Sequence, residues 1–397
     1  MQEIISIIKE KATLYKNEVV AIRRHLHQHP ELSFEEYNTS AFIAQKLTEY
    51  GVKFQKDIVK TGVVALVEGK NPSKKVIALR ADIDALPIQE ENEVDYKSSN
   101  DGVMHACGHD VHTSSLLGVV KILSELIDKF EGTVKCIFQP GEEKLPGGAS
   151  LMIKEGVLEN PTPASIFGQH VYPQLKAGKV GFRKGMYMAS TDELYLTVIG
   201  KGGHAALPHL NVDPIMITAH ILTALQQVVS RNANPITPSV LSFGKIQANG
   251  ATNVIPNKVH LEGTFRTMDE SWRKSAHDKI TTIATQVAAG MGGKCEVEIR
   301  KGYPFLVNDE HLTAKATEAA KAFLGEENVV ELDLRMTAED FAYYSQVMPA
   351  CFYRLGTASE NANISGLHTP TFSIDENALE TSIGLMSWLA INELTFE

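Results

Sequence analysis

Between residues 194 and 300 the apolar pattern runs strand, helix, strand, strand, helix, strand, and this order constrains the fold more than any other feature of the chain. Leu194–Ile199 alternates, Pro214–Ser230 has helical spacing, and Val240–Ile246 and Val259–Arg266 read as strands. Trp272–Met291 is again helical and Cys295–Arg300 closes the series. The order is that of a split βαβ unit, an α+β (ferredoxin-like, βαββαβ) module of about 110 residues. The chain on either side has a different grain. Helices are expected through Ile22–Leu26, from Glu36 to Tyr50 with Gly51 as the stop, and over Thr113–Phe130. Strands are expected at Val63–Val67, Val76–Ala81 and Thr133–Phe138, and a last helix near Leu379–Leu394. Strands alternating with helices indicate an α/β domain around a central mixed sheet. A single core stops growing at about 250–300 residues, and 397 residues exceed it. The expected division is a discontinuous α/β domain, 1–182 and 293–397, interrupted by the module at 183–292.

Composition removes several functions. With 38 Lys and Arg against 48 Asp and Glu the formal charge is −10, unsuited to non-specific binding of nucleic acid. Four cysteines are too few for a disulfide scaffold. Ile4, Ile5, Ile7 and Ile8 are soon interrupted by Lys9, Glu10 and Lys11, too short a run for a signal-peptide core, and no stretch reaches the roughly 18 apolar residues of a membrane helix. The expectation is a cytoplasmic protein with reduced thiols, in which Cys136, Cys295 and Cys351 are buried small hydrophobes.

The densest chemistry is Met104-His105-Ala106-Cys107-Gly108-His109-Asp110-Val111-His112. Thiolate and imidazole together suit zinc, cobalt or nickel, and Cys107 and His109, two apart, can face one side of an extended turn. Asp110 also reads as the N-cap of the helix expected from Thr113. A cysteine and a histidine alone make a weak site; they need remote partners. Candidates follow apolar strands: Glu142 and Glu143 after Cys136–Pro140, and His170 after Ile166–Gln169. His368 lies in a Gly/Pro loop, and Asp82 and Asp84 close the buried run Val76–Asp84. Open α/β sheets place ligands beyond the carboxyl ends of their strands. Adjacent carboxylates can divide metal ligation from proton transfer, and a carboxylate behind a ligating imidazole orients it.

In order, R-A-D-x-D-A-L-P, H-A-C-G-H-D-x-H, F-Q-P-x-E-E, F-G-x-H and L-H-T-P-x-F resemble the dimetal aminoacylase and carboxypeptidase superfamily. Within it the chain is similar to the hippurate hydrolases, N-acyl-amino-acid amidohydrolases and auxin-conjugate hydrolases. The resemblance extends from Arg23-Arg24-His25-Leu26-His27 through Gly200-Lys201-Gly202-Gly203-His204 and Met336–Phe341 to Glu376. It implies Cys107, His109, Glu143, His170 and His368 as ligands of two divalent ions (Zn, Mn, Co or Ni), Glu142 as general base, and Asp84 as the acid orienting a ligand. It implies that the inserted module is a lid and dimerisation domain, so that the protein is a homodimer. His204 of that module would polarise the scissile carbonyl in the partner's site, and Asn253 and Arg266 would hold the substrate. The implied reaction is hydrolysis of N-acyl-L-amino acids, N-acetyl or N-benzoyl, by a hydroxide bridging the two ions; the rival reading is a dipeptidase or carboxypeptidase on the same scaffold. Gly141, Lys144-Leu145-Pro146, Gln169 and Thr337 depart from the usual pattern without removing a ligand or the base.

The remaining histidines carry weaker claims. His25, His27 and His29 read as structural or solvated, and His105 and His112 as partners of the ligands. His220, His260, His277 and His311 read as ordinary surface or core residues.

Overall fold

A computed structural model describes residues 2–359 and 365–395. The chain forms two compact units: Met1–Gly185 with Val307–Asp333 and Asp340–Glu397, and Met186–Leu306 with Leu334–Glu339.

The first unit is built on an eight-stranded mixed sheet. Its order is Lys53–Ile58, Gly62–Glu68, Thr133–Gln139, Val76–Asp82, Ile166–Lys176, Ala350–Ala358, Val180–Phe182, Val329–Glu331. The four central strands run parallel. Val76–Asp82 and Thr133–Gln139 are buried along their whole length, which is why Val76–Leu79 and Cys136–Phe138 read as unbroken apolar stretches rather than alternating ones. The helices Gln2–Gln28, His109–Ser124 and Ala378–Thr395 pack on one another, burying Ile8, Val19, Leu117, Val120, Ile383 and Trp388. Register matters for function: Asp82 lies opposite Gln139, and Arg80 opposite Gly168. The strands Val76–Asp82 and Thr133–Gln139 therefore end at one level, with Asp82 at that end and Glu142 just beyond it, while His170 lies two residues past Gly168 in the neighbouring strand, which continues to Lys176.

The second unit is a four-stranded antiparallel sheet in the order Ser239–Ala248, Lys258–Thr267, Asp192–Ile199, Lys294–Lys301. Helices Pro214–Gln227 and Glu270–Gly290 are capped by Asp213 and Asp269, whose carboxylates accept first-turn amides. Ile217, Ile221, Ile280 and Ala284 pack with Leu194, Leu196, Val198 and Phe265 of the sheet. The expected end of the insert at 292 falls one strand short. Lys294–Lys301 pairs with Asp192–Ile199 from end to end, so the sheet is completed only after that boundary.

Candidate active site

Cys107 sits in the turn that enters the helix His109–Ser124. That helix starts four residues before the expected Thr113, so His109, Asp110 and His112 all belong to its first turn. Its N-cap is Gly108, with φ +82° and no side-chain cap, rather than Asp110. A Cβ at Gly108 would meet Val171 Cγ2 at 2.6 Å, and φ there is already left-handed, so the position requires glycine on two counts. Asp110 instead accepts from Arg23 Nε (2.7 Å), with His27 Nδ1 at 2.9 Å.

The remote candidates converge on this turn. His109 gives its Nδ1 to the Asp84 carbonyl (2.9 Å) and carboxylate (3.1 Å). Its buried Nε2 makes no hydrogen bond. His170 lies within the strand Ile166–Lys176, not beyond its end; its Nδ1 donates to Val171 O (2.8 Å), and its Nε2 is 3.4 Å from Cys107 Sγ. His368, at φ +60°, is held by its amide on Ala106 O (2.8 Å). Its Nε2 lies 3.3 Å from Cys107 Sγ and 3.1 Å from Glu143 Oε1. Glu143 donates its own amide to Asp84 Oδ2 (3.0 Å). Asp84 thus braces one candidate ligand through its imidazole and another through its backbone.

The candidate ligand atoms form overlapping groups. Those of Cys107, His109 and His170 lie within 4.8 Å of one another, as do those of Cys107, Glu143 and His368. The Cys107 sulfur belongs to both. The atoms of His109, Glu142 and Glu143 form a further such group. Thiolate, imidazole and carboxylate are the donors that first-row divalent ions take, and the orphaned His109 Nε2 is a buried lone pair or N–H with no protein atom to satisfy it. The residues fit a pair of metal ions.

The electrostatics agree. Burial and the charges of Glu143, Glu142 and Asp82 push the Cys107 thiol far above its usual range; a bound cation reverses that and deprotonates it. Burial opposes charge on His109, but Asp82, Asp84 and Glu143 outweigh it and raise its pKa to about 10. His170 is driven the other way, well below its ordinary value, by burial and by Arg354.

Behind the candidate ligands is a buried ionic network whose assembly was not apparent from the sequence. Arg80 donates through Nη1 to Asp82 Oδ2 (2.6 Å), through Nη2 to Asp340 Oδ1 (2.6 Å) and through Nε to Gln139 Oε1 (2.9 Å). Asp340 also accepts from Gln139 Nε2 and the Ala149 amide, and its own amide points at Glu142 Oε1 (3.4 Å). Glu36, which in the sequence marks only a helix start, also supports the site. It accepts the Phe34 and Gly141 amides (2.9 Å each) and the Thr61 hydroxyl (2.6 Å), anchoring the turn that presents Glu142. Burial and the nearby Asp84 raise its pKa from 4.5 to about 7. The folded state therefore binds this proton more tightly than the unfolded chain, and the stability it contributes is lost as pH rises from about 4.5 to about 7. Glu36→Gln is expected to gain on wild type by up to about 3 kcal/mol across that window, read by urea unfolding at pH 5 and pH 8. A difference that does not change with pH would remove Glu36 as the cause.

The second unit carries the other candidates. His204 is exposed in a short ladder, Gly203–His204 against Val254–Ile255, and the Ala205 amide donates to Asn253 O (3.0 Å). His204 and Asn253 are thereby brought together. Arg266 is half-buried on the strand Lys258–Thr267. Its Nη1 donates to Met336 O (3.0 Å), and it pairs with no carboxylate among the described residues. His277, expected to be an ordinary residue, joins a buried cluster: its Nε2 is 2.6 Å from Asp192, which also pairs with Arg273 at 2.6 Å. The four cysteines are buried and free.

Residues 78–392 match peptidase family M20/M25/M40. The chain is 41% identical over 369 residues to the N-acetyl-L-cysteine deacetylase of Bacillus subtilis, covering 93% of this chain and 86% of that one. It is 42% identical over 301 residues to the N-acyl-L-amino acid amidohydrolase of Geobacillus stearothermophilus, covering 76% and 80%. A Bacillus subtilis crystal structure, described as a dinuclear metal-binding peptidase of the M20 family, aligns with TM-score 0.82 and 35% identity, covering 96% and 99%.

Proposed function

The chain belongs to peptidase family M20/M25/M40, and we propose that, as a metal-dependent amidohydrolase acting on linear amides, it cleaves N-acyl-L-amino acids into a carboxylic acid and an amino acid. The observation that carries this reading is the pair of ligand groups meeting at the Cys107 sulfur with the Glu142 carboxylate beside them. Cys107, His109, Glu143, His170 and His368 would hold two divalent ions, which when bound supply Lewis-acid polarisation of the carbonyl and acidify water.

The chain's own residues do the rest. Glu142 takes the proton of the attacking water and hands it to the leaving amine nitrogen. Asp84 orients His109 and the Glu143 backbone. His204 donates to the developing oxyanion, a contact worth about 3–4 kcal/mol, and Asn253 assists in holding the substrate. Arg266 receives the α-carboxylate. A half-buried guanidinium with one donor on a carbonyl and no counter-ion among the described residues is suited to an anionic ligand. Arg266→Ala is expected to raise KM for N-acyl amino acids by about 10–100-fold, the equivalent of one lost charged hydrogen bond, while amides lacking the carboxylate are little affected. Equal behaviour of the two substrate classes would remove Arg266 from this role.

We further infer a cytoplasmic homodimer assembled through the second unit, with His204 serving the partner's site. Exposed Leu207, Leu210, Ile215 and Met216 near His204 support such a surface. The deciding experiment is a hydrolysis panel of N-acetyl and N-benzoyl amino acids and free dipeptides, with zinc, manganese, cobalt or nickel supplied in turn and chelator as control. Turnover restricted to free dipeptides would favour the dipeptidase reading.

A further inference from the structure

The strand that carries His170 is left with an amide to satisfy. Its ladder with Val76–Asp82 ends at Arg80 opposite Gly168, so the Val171 amide, three residues further on, has no strand on that side to accept it. An imidazole takes the place of the missing strand: Val171 N–H donates to His112 Nε2 at 2.9 Å. The other nitrogen, Nδ1, is 2.5 Å from Asp82 Oδ1, and Asp82 is held as an anion by Arg80 at 2.6 Å. Val171 also contributes its carbonyl to His170 Nδ1 (2.8 Å), and the rings of His112 and His170 meet edge to face at 4.7 Å.

We propose that His112 is a positioning residue for His170, fixing through the Val171 backbone the direction in which His170 presents Nε2. The tautomer is determined from both sides. A backbone N–H can only donate, so Nε2 must be bare; the Asp82 carboxylate can only accept, so Nδ1 must carry the proton. The His170 tautomer follows by the same logic, because the Val171 carbonyl takes its Nδ1–H and leaves Nε2 as the ligand atom. His112 does not itself ligate in this arrangement, because both nitrogens are committed.

The inference rests on His170 being a metal ligand, so its test separates the two. Asn at 112 places an amide N–H near the position of Nδ1, keeping the bond to Asp82 but leaving Val171 without an acceptor. Gln places a carbonyl near the position of Nε2 and does the reverse. Metal content after dialysis against graded chelator is expected to show affinity weakened by about 10–100-fold in His112→Asn and by under about 3-fold in His112→Gln. Equal losses in the two, or wild-type retention in His112→Asn, overturn the inference. His170→Ala is measured alongside. Unchanged stoichiometry there overturns the ligand assignment and the inference with it, whereas loss there beside full retention in His112→Asn overturns the inference alone. Should the Asn variant fail to fold, ¹⁵N-histidine NMR of the intact wild-type protein reads the tautomer directly. A protonated Nδ1 and bare Nε2 are expected, and the opposite tautomer or an imidazolium refutes it.

Discussion

Glu142→Gln is expected to retain its full complement of metal and to lower kcat by about a thousandfold, inside the roughly 10²–10⁴ range of a general acid–base group. The two side chains have the same shape, and the amide oxygen of Gln can still accept from the Asp340 amide now facing Glu142 Oε1. What is lost is the capacity to take a proton from water and deliver it to the amine. Metal content decides between two roles, because the Glu142 carboxylate lies within 4.8 Å of the ligand atoms of His109 and Glu143. If Glu142 were itself an obligate ligand, the variant would lose metal along with activity. Elemental analysis beside the rate measurement separates these outcomes, and wild-type turnover in E142Q would exclude the carboxylate from proton transfer.

The sequence made legible what is local and periodic. Continuous apolar runs marked the parallel strands, alternation marked the sheet of the second unit, and eight consecutive residues, His105–His112, marked the turn around which the candidate ligands gather. What escaped was conformational or long-range. The helix begins at His109 because Gly108 can adopt a left-handed backbone against Val171; without a capping side chain there was no signal to place it, and Asp110 suggested the wrong start. His170 reads as lying past a strand end because Gln169 and His170 interrupt the apolar run, yet the backbone ladder to Ala350–Ala358 continues through it. Arg80 and Asp340 are far apart in sequence and meet only because the sheet brings them together. The alternation of Arg80, Asp82 and Asp84 at the end of a buried strand was the available hint that charges inside the core had partners. Glu36 had no such hint: it lies at the mouth of an ordinary helix, and only the fold shows that it holds the Gly141 amide.

Arg80→Met is expected to destabilise the protein by about 3–5 kcal/mol, the usual consequence of removing one member of a buried ion network. Arg80, Asp82 and Asp340 are all fully or almost fully buried, so solvent screens the lost interaction little. Methionine fills much of the volume, and the loss is therefore electrostatic more than a cavity effect. Asp82 would still have His112, and Asp340 would keep Gln139 and the Ala149 amide, but the cation between them would be gone. At about 2–4 °C per kcal/mol for a unit of this size, the first thermal transition should fall by about 10 °C. The deficit should depend on pH. Burial works against the Asp82 anion, but His109, Arg80 and His112 hold its pKa far below the ordinary carboxylate value. A depressed folded pKa gives stability that is present above the unfolded value of about 3.9 and lost as pH falls through the folded one. Acid therefore erodes the wild-type advantage, and the gap between wild type and R80M should narrow below about pH 4. A thermal midpoint within 2 °C of wild type at pH 7 would show that the carboxylates find other partners and that Arg80 is not what holds these strand ends together.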